Sequence, residues 1–364
     1  MSGYVEFLIM TGSALSEFKN LEIEPLIASR PAEPRDSSRL MTLSRSGGAV
    51  AHKVFRDLPD LLVPGDVLVL NRSKVWKAKL PALKPTGGRS ELLLIKPESP
   101  DLRTWTALAR KIRPGRKVVC RGGAEAVCAG QNPDGSFLFE LSAPLDPAYL
   151  EKNAEVPLPE YILKARKKAG QGSAKLPGEA DHDDSRYQTV FAGLPGSIAA
   201  PTAGFHFTPE LLERIRAKGV EVRYLVLHIG WGTFKPVRGK DPSAHVMLEE
   251  ECSLSAETAD ALNAARGRGS RIIAVGTSSM RTLETFSDEA GRFSPGEGRA
   301  GLFIYPGYRF KAAGAFLTNL HVPSSAPLYM TAAFAGRELL FKAYNEAVDK
   351  KYRFYSYGDA MLIT

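Results

Sequence analysis

Three histidines stand where the chain must change direction, and imidazole is the side chain that trades protons near neutral pH. His206 follows the small-residue run Gly196-Ser-Ile-Ala-Ala-Pro-Thr-Ala-Gly204. His228 opens His228-Ile-Gly-Trp-Gly-Thr233, and His321 lies in Leu317-Thr-Asn-Leu-His-Val-Pro323. A lone histidine is more often a satisfied structural residue than a catalyst. Three at element ends of one region shift that balance, without saying which is a base. The turn Gly276-Thr-Ser-Ser279 offers backbone N–H groups and hydroxyls at a helix start, with Arg281 close behind; a carboxylate or phosphate would fit there. A plain Ser/Thr N-cap would explain one hydroxyl, but not the glycine and arginine together. His245 and Glu250 form a further candidate acid/base pair, equally readable as a surface turn. No HxxxH or paired-cysteine spacing points to a metal.

These groups need elements to hold them. Thr208-Pro209-Glu210 reads as an N-cap, a first-turn proline and an acidic first turn, with Leu211, Leu212 and Ile215 on one face and Gly219 as the stop. Residues 220–229 read as a strand, a helix begins at Ser255, 271–275 is the next strand, 279–290 a helix and 302–305 a further strand. That alternation predicts an α/β fold with a mostly parallel sheet. Ligands of such sheets sit beyond the carboxyl ends of the strands. The expected strands end at His228, at Gly276 and at Tyr305-Pro-Gly-Tyr-Arg309, so the chemistry falls where the rule wants it.

Residues 61–141 break into short strands (VLVLN, KAKLPAL, ELLLIK, TWTALA, KVVC, FLFELS) between Pro-Gly, Gly-Gly and Asp-Gly turns. They predict a compact β-barrel or sandwich, read as a block over 61–149 inserted into a discontinuous α/β domain of residues 1–60 and 150–364. Residues 164–183 read as a flexible loop. The basic run 109–117 (ARKIRPGRK) would track phosphates or simply be a solvated turn. Aromatic residues at 352–361 suit either stacking on a base or anchoring onto the core.

The net charge of +8, spread over 364 residues, favours an anionic partner but also fits a basic enzyme with no RNA role. Three cysteines without a CxxC pair argue for a reducing cytoplasm. No window reaches the ~20 apolar residues of a membrane span.

Read together, PAEPRDSSRLM (31–41), ARKIRPG (109–115), GSIAAPTAGFHFT (196–208), LHIGWGTFKPV (227–237), VGTSSMRTLE (275–284), LTNLHVP (317–323) and YRFYSYGDAMLI (352–363) resemble the S-adenosylmethionine:tRNA ribosyltransferase-isomerases of queuosine biosynthesis. The resemblance covers nearly the whole chain after about residue 20, and of barrel and sandwich it implies a β-barrel for the inserted block. It implies a monomeric cytoplasmic enzyme that consumes S-adenosylmethionine as substrate, with no separate cofactor. The ribosyl part would pass to 7-aminomethyl-7-deazaguanine at the tRNA wobble position and rearrange to epoxyqueuosine, releasing adenine and methionine.

The resemblance makes His206, His228 and His321 the proton-handling candidates. Thr277, Ser278 and Arg281 would hold the methionine carboxylate, with Gly276 also binding substrate, and Tyr305 or Tyr357 would stack on a base. Arg186, Tyr187, Thr202 and Thr233 would contact substrate, and Asp359 would accept a ribose or amine hydrogen bond. The chain departs from the family pattern at Lys74 (arginine), Trp231 (leucine), Leu248 (histidine) and Ser324 (often lysine). A noncatalytic RNA-binding protein on the same scaffold would keep the basic β-block and aromatic tail but need no S-adenosylmethionine site.

Overall fold

The computed structural model describes residues 15–170, 179–234, 237 and 241–364. Its centre is a nine-stranded mixed sheet. Four adjacent strands, Glu221–Leu227, Val67–Asn71, Ile272–Val275 and Ala315–Asn319, run parallel and so end on one side. Beyond them Ala360–Ile363 pairs antiparallel with Ala315–Asn319 and parallel with Arg39–Leu43. Antiparallel strands Glu250–Leu254 and Gly296–Ala300 extend the other edge.

Alternate residues of the middle strand show why the sheet is covered twice. Val67 and Val69 pack with Leu262, Met280 and Leu283, while Leu68 and Leu70 pack with Leu211, Leu212 and Ile215 on the opposite face. The expected helix starts hold. Thr208 accepts from Leu211 N–H at the head of Pro209–Ala217, and Ser255 from Thr258 N–H at the head of Ala256–Gly267.

The inserted barrel is closed from six antiparallel strands running from Lys79–Leu83 to Phe137–Leu141. Its interior holds Leu80, Leu92, Leu94, Trp105, Ala107 and Phe139. The expected start of the insertion at residue 61 does not hold, because VLVLN belongs to the main sheet. All five of its residues are buried, whereas barrel strands such as Glu125–Gln131 alternate exposed and buried.

Other expectations are corrected too. Residues 302–305 form no strand: they lie between the edge strand ending at Ala300 and Pro306, and bury Ile304 as irregular chain. The parallel strand expected there is Ala315–Asn319 instead. The helix expected at 279–290 spans Gly276–Thr285. The loop expected at 164–183 contains the end of helix Glu160–Lys168 and the start of Glu179–Arg186; its middle lies outside the described residues. Among the described residues, no helix is long and apolar enough to cross a membrane.

Candidate active site

The parallel strand ends meet at a buried amide. Asn71 Nδ2 donates to Leu227 O (2.9 Å) and Ser278 Oγ (3.1 Å), and Asn71 Oδ1 accepts from Ser73 N–H (3.0 Å) and Leu227 N–H (3.2 Å). One side chain thereby fixes three chain segments beside a cleft. The cleft is lined by Ile229 after the first strand, by Gly276, Thr277 and Ser278 after the third, and by Thr318, Asn319 and His321 at the end of the fourth. Ala199–Ala203 form a small-residue wall. Tyr161, Tyr187, Tyr355 and Ser356 complete the lining.

Among the described residues this lining sets hydroxyl, amide and imidazole groups among apolar ones and holds no carboxylate, ammonium or guanidinium. Gly276 takes φ +83°, a left-handed conformation suited to glycine, and the helix it starts has no side-chain cap. Its first N–H groups and positive dipole end therefore meet the cleft unshielded.

Two hydrogen-bond chains set the histidines. Thr202 Oγ1 donates to Asn319 Oδ1 (2.8 Å), and Asn319 Nδ2 donates to His206 Nε2 (3.2 Å). His206 Nδ1 then carries its hydrogen to Ser38 Oγ (2.7 Å). Fully desolvated and stacked on Phe55 at 4.8 Å, His206 is pushed down to about 3 and stays neutral. Both its nitrogens are used, and it does not line the cleft; it orients Asn319, which does. The second chain runs from Ser197 Oγ through Ser73 Oγ (2.7 Å) to His228 Nδ1 (2.7 Å). Burial lowers His228 as well, with Glu251 opposing. His228 lies one residue outside the lining.

His321 is the histidine that faces the cleft. Its Nε2 is 2.6 Å from Thr318 Oγ1, and its backbone N–H donates to Tyr344 OH (2.7 Å). Burial pushes it down to about 3. Its Nδ1 has no partner among the described residues.

Of the residues singled out from sequence, the cleft gathers Tyr187, Thr202, Gly276, Thr277, Ser278 and His321. It does not gather the others. Arg281 points away, into a buried pair with Glu250 and onto Ala300 O. Burial raises the Glu250 carboxyl against the pull of Arg281, and Glu250 also accepts from Gly230 N–H (2.8 Å). That pairing removes Glu250 from His245, which instead meets the Phe303 ring edge-on at 4.7 Å.

Tyr305 packs on Phe303 (5.5 Å), and Tyr357 is buried against Tyr187 and Phe205. Asp359 accepts from Arg39 N–H (3.0 Å) and Arg353 N–H (2.8 Å), tying the C-terminal segment to the first strand. Arg186 donates to Ala32 O (2.7 Å) and pairs with Glu33 (3.0 Å). The Thr233 side chain lies outside the described residues.

Sequence reasoning missed Tyr161, Thr318, Asn319, Tyr355 and Ser356. The signal for Thr318 and Asn319 was the fully buried run AFLTN before His321. The aromatic tail serves both readings: Phe354 and Tyr357 anchor it, and Tyr355 and Ser356 face the cleft.

A sheet sandwiched by helices, with an inserted barrel and a cleft at the carboxyl ends of its parallel strands, defines an α/β fold of the kind whose ligands sit at strand ends. Residues 15–363 match the queuosine biosynthesis protein family. The S-adenosylmethionine:tRNA ribosyltransferase-isomerase of Thermus thermophilus is 48% identical over 349 residues, 93% of this chain and 95% of the relative. That of Pelobacter propionicus is 45% identical over 345 residues, 93% and 96%. A crystal structure of S-adenosylmethionine tRNA ribosyltransferase from Thermotoga maritima superposes with a TM-score of 0.52 at 35% identity, covering 97% of this chain and 100% of that one. The chain belongs to the queuosine biosynthesis protein family.

Proposed function

We propose that the chain transfers the ribosyl part of S-adenosylmethionine to 7-aminomethyl-7-deazaguanine at the wobble position of tRNA and isomerises it to epoxyqueuosine, with loss of adenine and methionine. The observation that carries this is the uncharged cleft with an uncapped helix start at one end and three tyrosines around it. A methionine carboxylate would cap Gly276–Ser278, where the helix dipole contributes about 0.3–1 kcal/mol and the Thr277 hydroxyl adds a donor. A sulfonium is a cation with no hydrogen to donate, so aromatic faces suit it better than carboxylates do. Tyr161, Tyr187 and Tyr355 supply them.

The reaction needs a group to take the acidic proton beside the sulfonium. We assign this to His321 Nδ1, with Thr318 holding the other nitrogen. So weak a base accepts a proton only in a concerted transfer, or after an anionic ligand restores its affinity. His228 is held by Ser73 just before Ile229 of the lining, and His206 acts through Asn319. The three cysteines are free and buried, in keeping with a reducing cytoplasm.

The test is purified protein with S-adenosylmethionine and tRNA bearing the deazaguanine base, scored for free adenine. Wild type should release adenine only with the tRNA present, and His321→Ala should lose about 10²–10⁴-fold in rate with S-adenosylmethionine still bound. No adenine from wild type would end the functional reading. An unchanged rate in the variant would end the assignment to His321.

A further inference from the structure

The turn joining barrel strands Thr104–Ala109 and Lys117–Cys120 carries Arg110, Lys111, Arg113 and Arg116, and no acidic residue occurs between Asp101 and Glu125. Its backbone is pinned. Gly115 N–H donates to Cys128 O (2.8 Å), Arg116 N–H to Arg113 O (3.1 Å) and Cys128 N–H to Arg116 O (2.9 Å), while Ile112 is buried in the barrel core. A held turn displays its cations at less ordering cost than a loose one.

Three other barrel lysines are neutralised nearby, Lys79 by Glu91, Lys96 by Glu98 and Lys117 by Glu125, while Lys84 Nζ donates to Lys111 O in this turn (3.3 Å). Lys111, Arg113 and Arg116 are exposed and have no carboxylate partner among the described residues. Arg110 instead pairs with Glu160, the first residue of helix Glu160–Lys168. The residues flanking Glu160, Pro159 and Tyr161, line the cleft. The positive turn therefore abuts the rim of the candidate site. Pro114 and Gly115 are the exposed apolar positions in the turn, so it lacks the aromatic anchors of a protein interface. Unpaired cations without an apolar centre fit a phosphate backbone.

We infer that this barrel turn is an RNA docking surface. Lys111, Arg113 and Arg116 neutralise backbone phosphates of the tRNA anticodon region, while the Tyr161 rim receives the nucleotide to be modified. This rests on the function proposed above and adds where the RNA is held.

The test is the full-length triple variant Lys111→Ala/Arg113→Ala/Arg116→Ala. Its tRNA affinity is measured by fluorescence anisotropy from 50 to 200 mM salt, and its adenine release by chromatography. We expect tRNA KM and Kd to rise at least tenfold, with KM for S-adenosylmethionine within about twofold of wild type. The slope of log affinity against log salt should fall by about 3, roughly one unit per cation. Arg113→Lys/Arg116→Lys should retain most of the slope. An active wild type whose triple variant keeps its tRNA KM and salt slope would overturn the inference and leave the proposed function standing. So would a loss of the slope in the charge-keeping pair. A wild type that binds no tRNA would overturn both.

Discussion

Replacing His206 by glutamine isolates the cost of an imidazole that cannot take a proton. In the folded chain the ring is desolvated and held about 3, against 6.5 for the ordinary group. The unfolded chain therefore binds a proton at mildly acid pH that the folded chain refuses. A folded value below the unfolded one means the stability is whole above about pH 6.5 and drains as pH falls toward 3. At pH 5 the deficit is about 1.5 pH units below the unfolded value, or about 2 kcal/mol at 1.36 kcal/mol per unit. At pH 7.5 it is about zero.

Glutamine can still accept from Asn319 and donate to Ser38 but does not titrate. The variant should lose about 1–2 kcal/mol at pH 7.5 through poorer packing on Phe55. At pH 5 the wild type loses about 2 kcal/mol that the variant keeps, so the gap should close or reverse in sign. Urea unfolding followed by far-ultraviolet circular dichroism reads this, because the helices belong to the α/β domain. Other titrating groups cancel in the difference. Parallel stability curves at the two pH values would refute the burial argument and free His206 to be a proton carrier.

Two further outcomes follow from contacts already given. Arg281→Ala strands the Glu250 carboxylate in the core and should cost about 3–5 kcal/mol in thermal unfolding, with Arg281→Met/Glu250→Leu recovering most of it; a loss under about 1 kcal/mol in the single variant would contradict a buried pair. Gly196→Ala puts a methyl 2.4 Å from His228 Nδ1 at a φ of +155°. It should swing the ring off Ser73 and lower kcat for adenine release more than tenfold while the fold, by circular dichroism, survives. Wild-type kcat in that variant would remove His228 from the mechanism.

The grammar of helix starts was legible, since Thr208-Pro209 and Ser255 act locally through their own N–H groups. A β-rich block was legible from turn spacing as a barrel or a sandwich, and only the family resemblance chose the barrel; its first strand was misplaced, because a short apolar run reads the same in a barrel and in a doubly covered sheet. FIY and AFLTN compete as strands on composition alone. What separates them is that Ala315–Asn319 lies between two partners, Ile272–Val275 and Ala360–Ile363, which is tertiary information.

The same holds in the site. Gly276, Thr277 and Ser278 reach the cleft through backbone position, which the sequence displays. Arg281 is one helical turn further on and has swung to Glu250, which no spacing rule reveals. The hydroxyl and tyrosine walls come from Tyr161 and Tyr355, far apart in sequence and met edge-on at 4.9 Å.

The strand at 360–363 is wedged between 315–319 and 39–43, and the loop leading into it supplies Tyr355 and Ser356. It is the third strand from one edge, so a chain lacking it has an open seam that parts Arg39–Leu43 and its neighbour from the rest of the sheet. Such a product would have every histidine of the site in its sequence and nowhere to seat a substrate. Loss of this strand would then silence the enzyme by a defect in assembly, and the exposed edges of the seam would mark the product for chaperones and proteases.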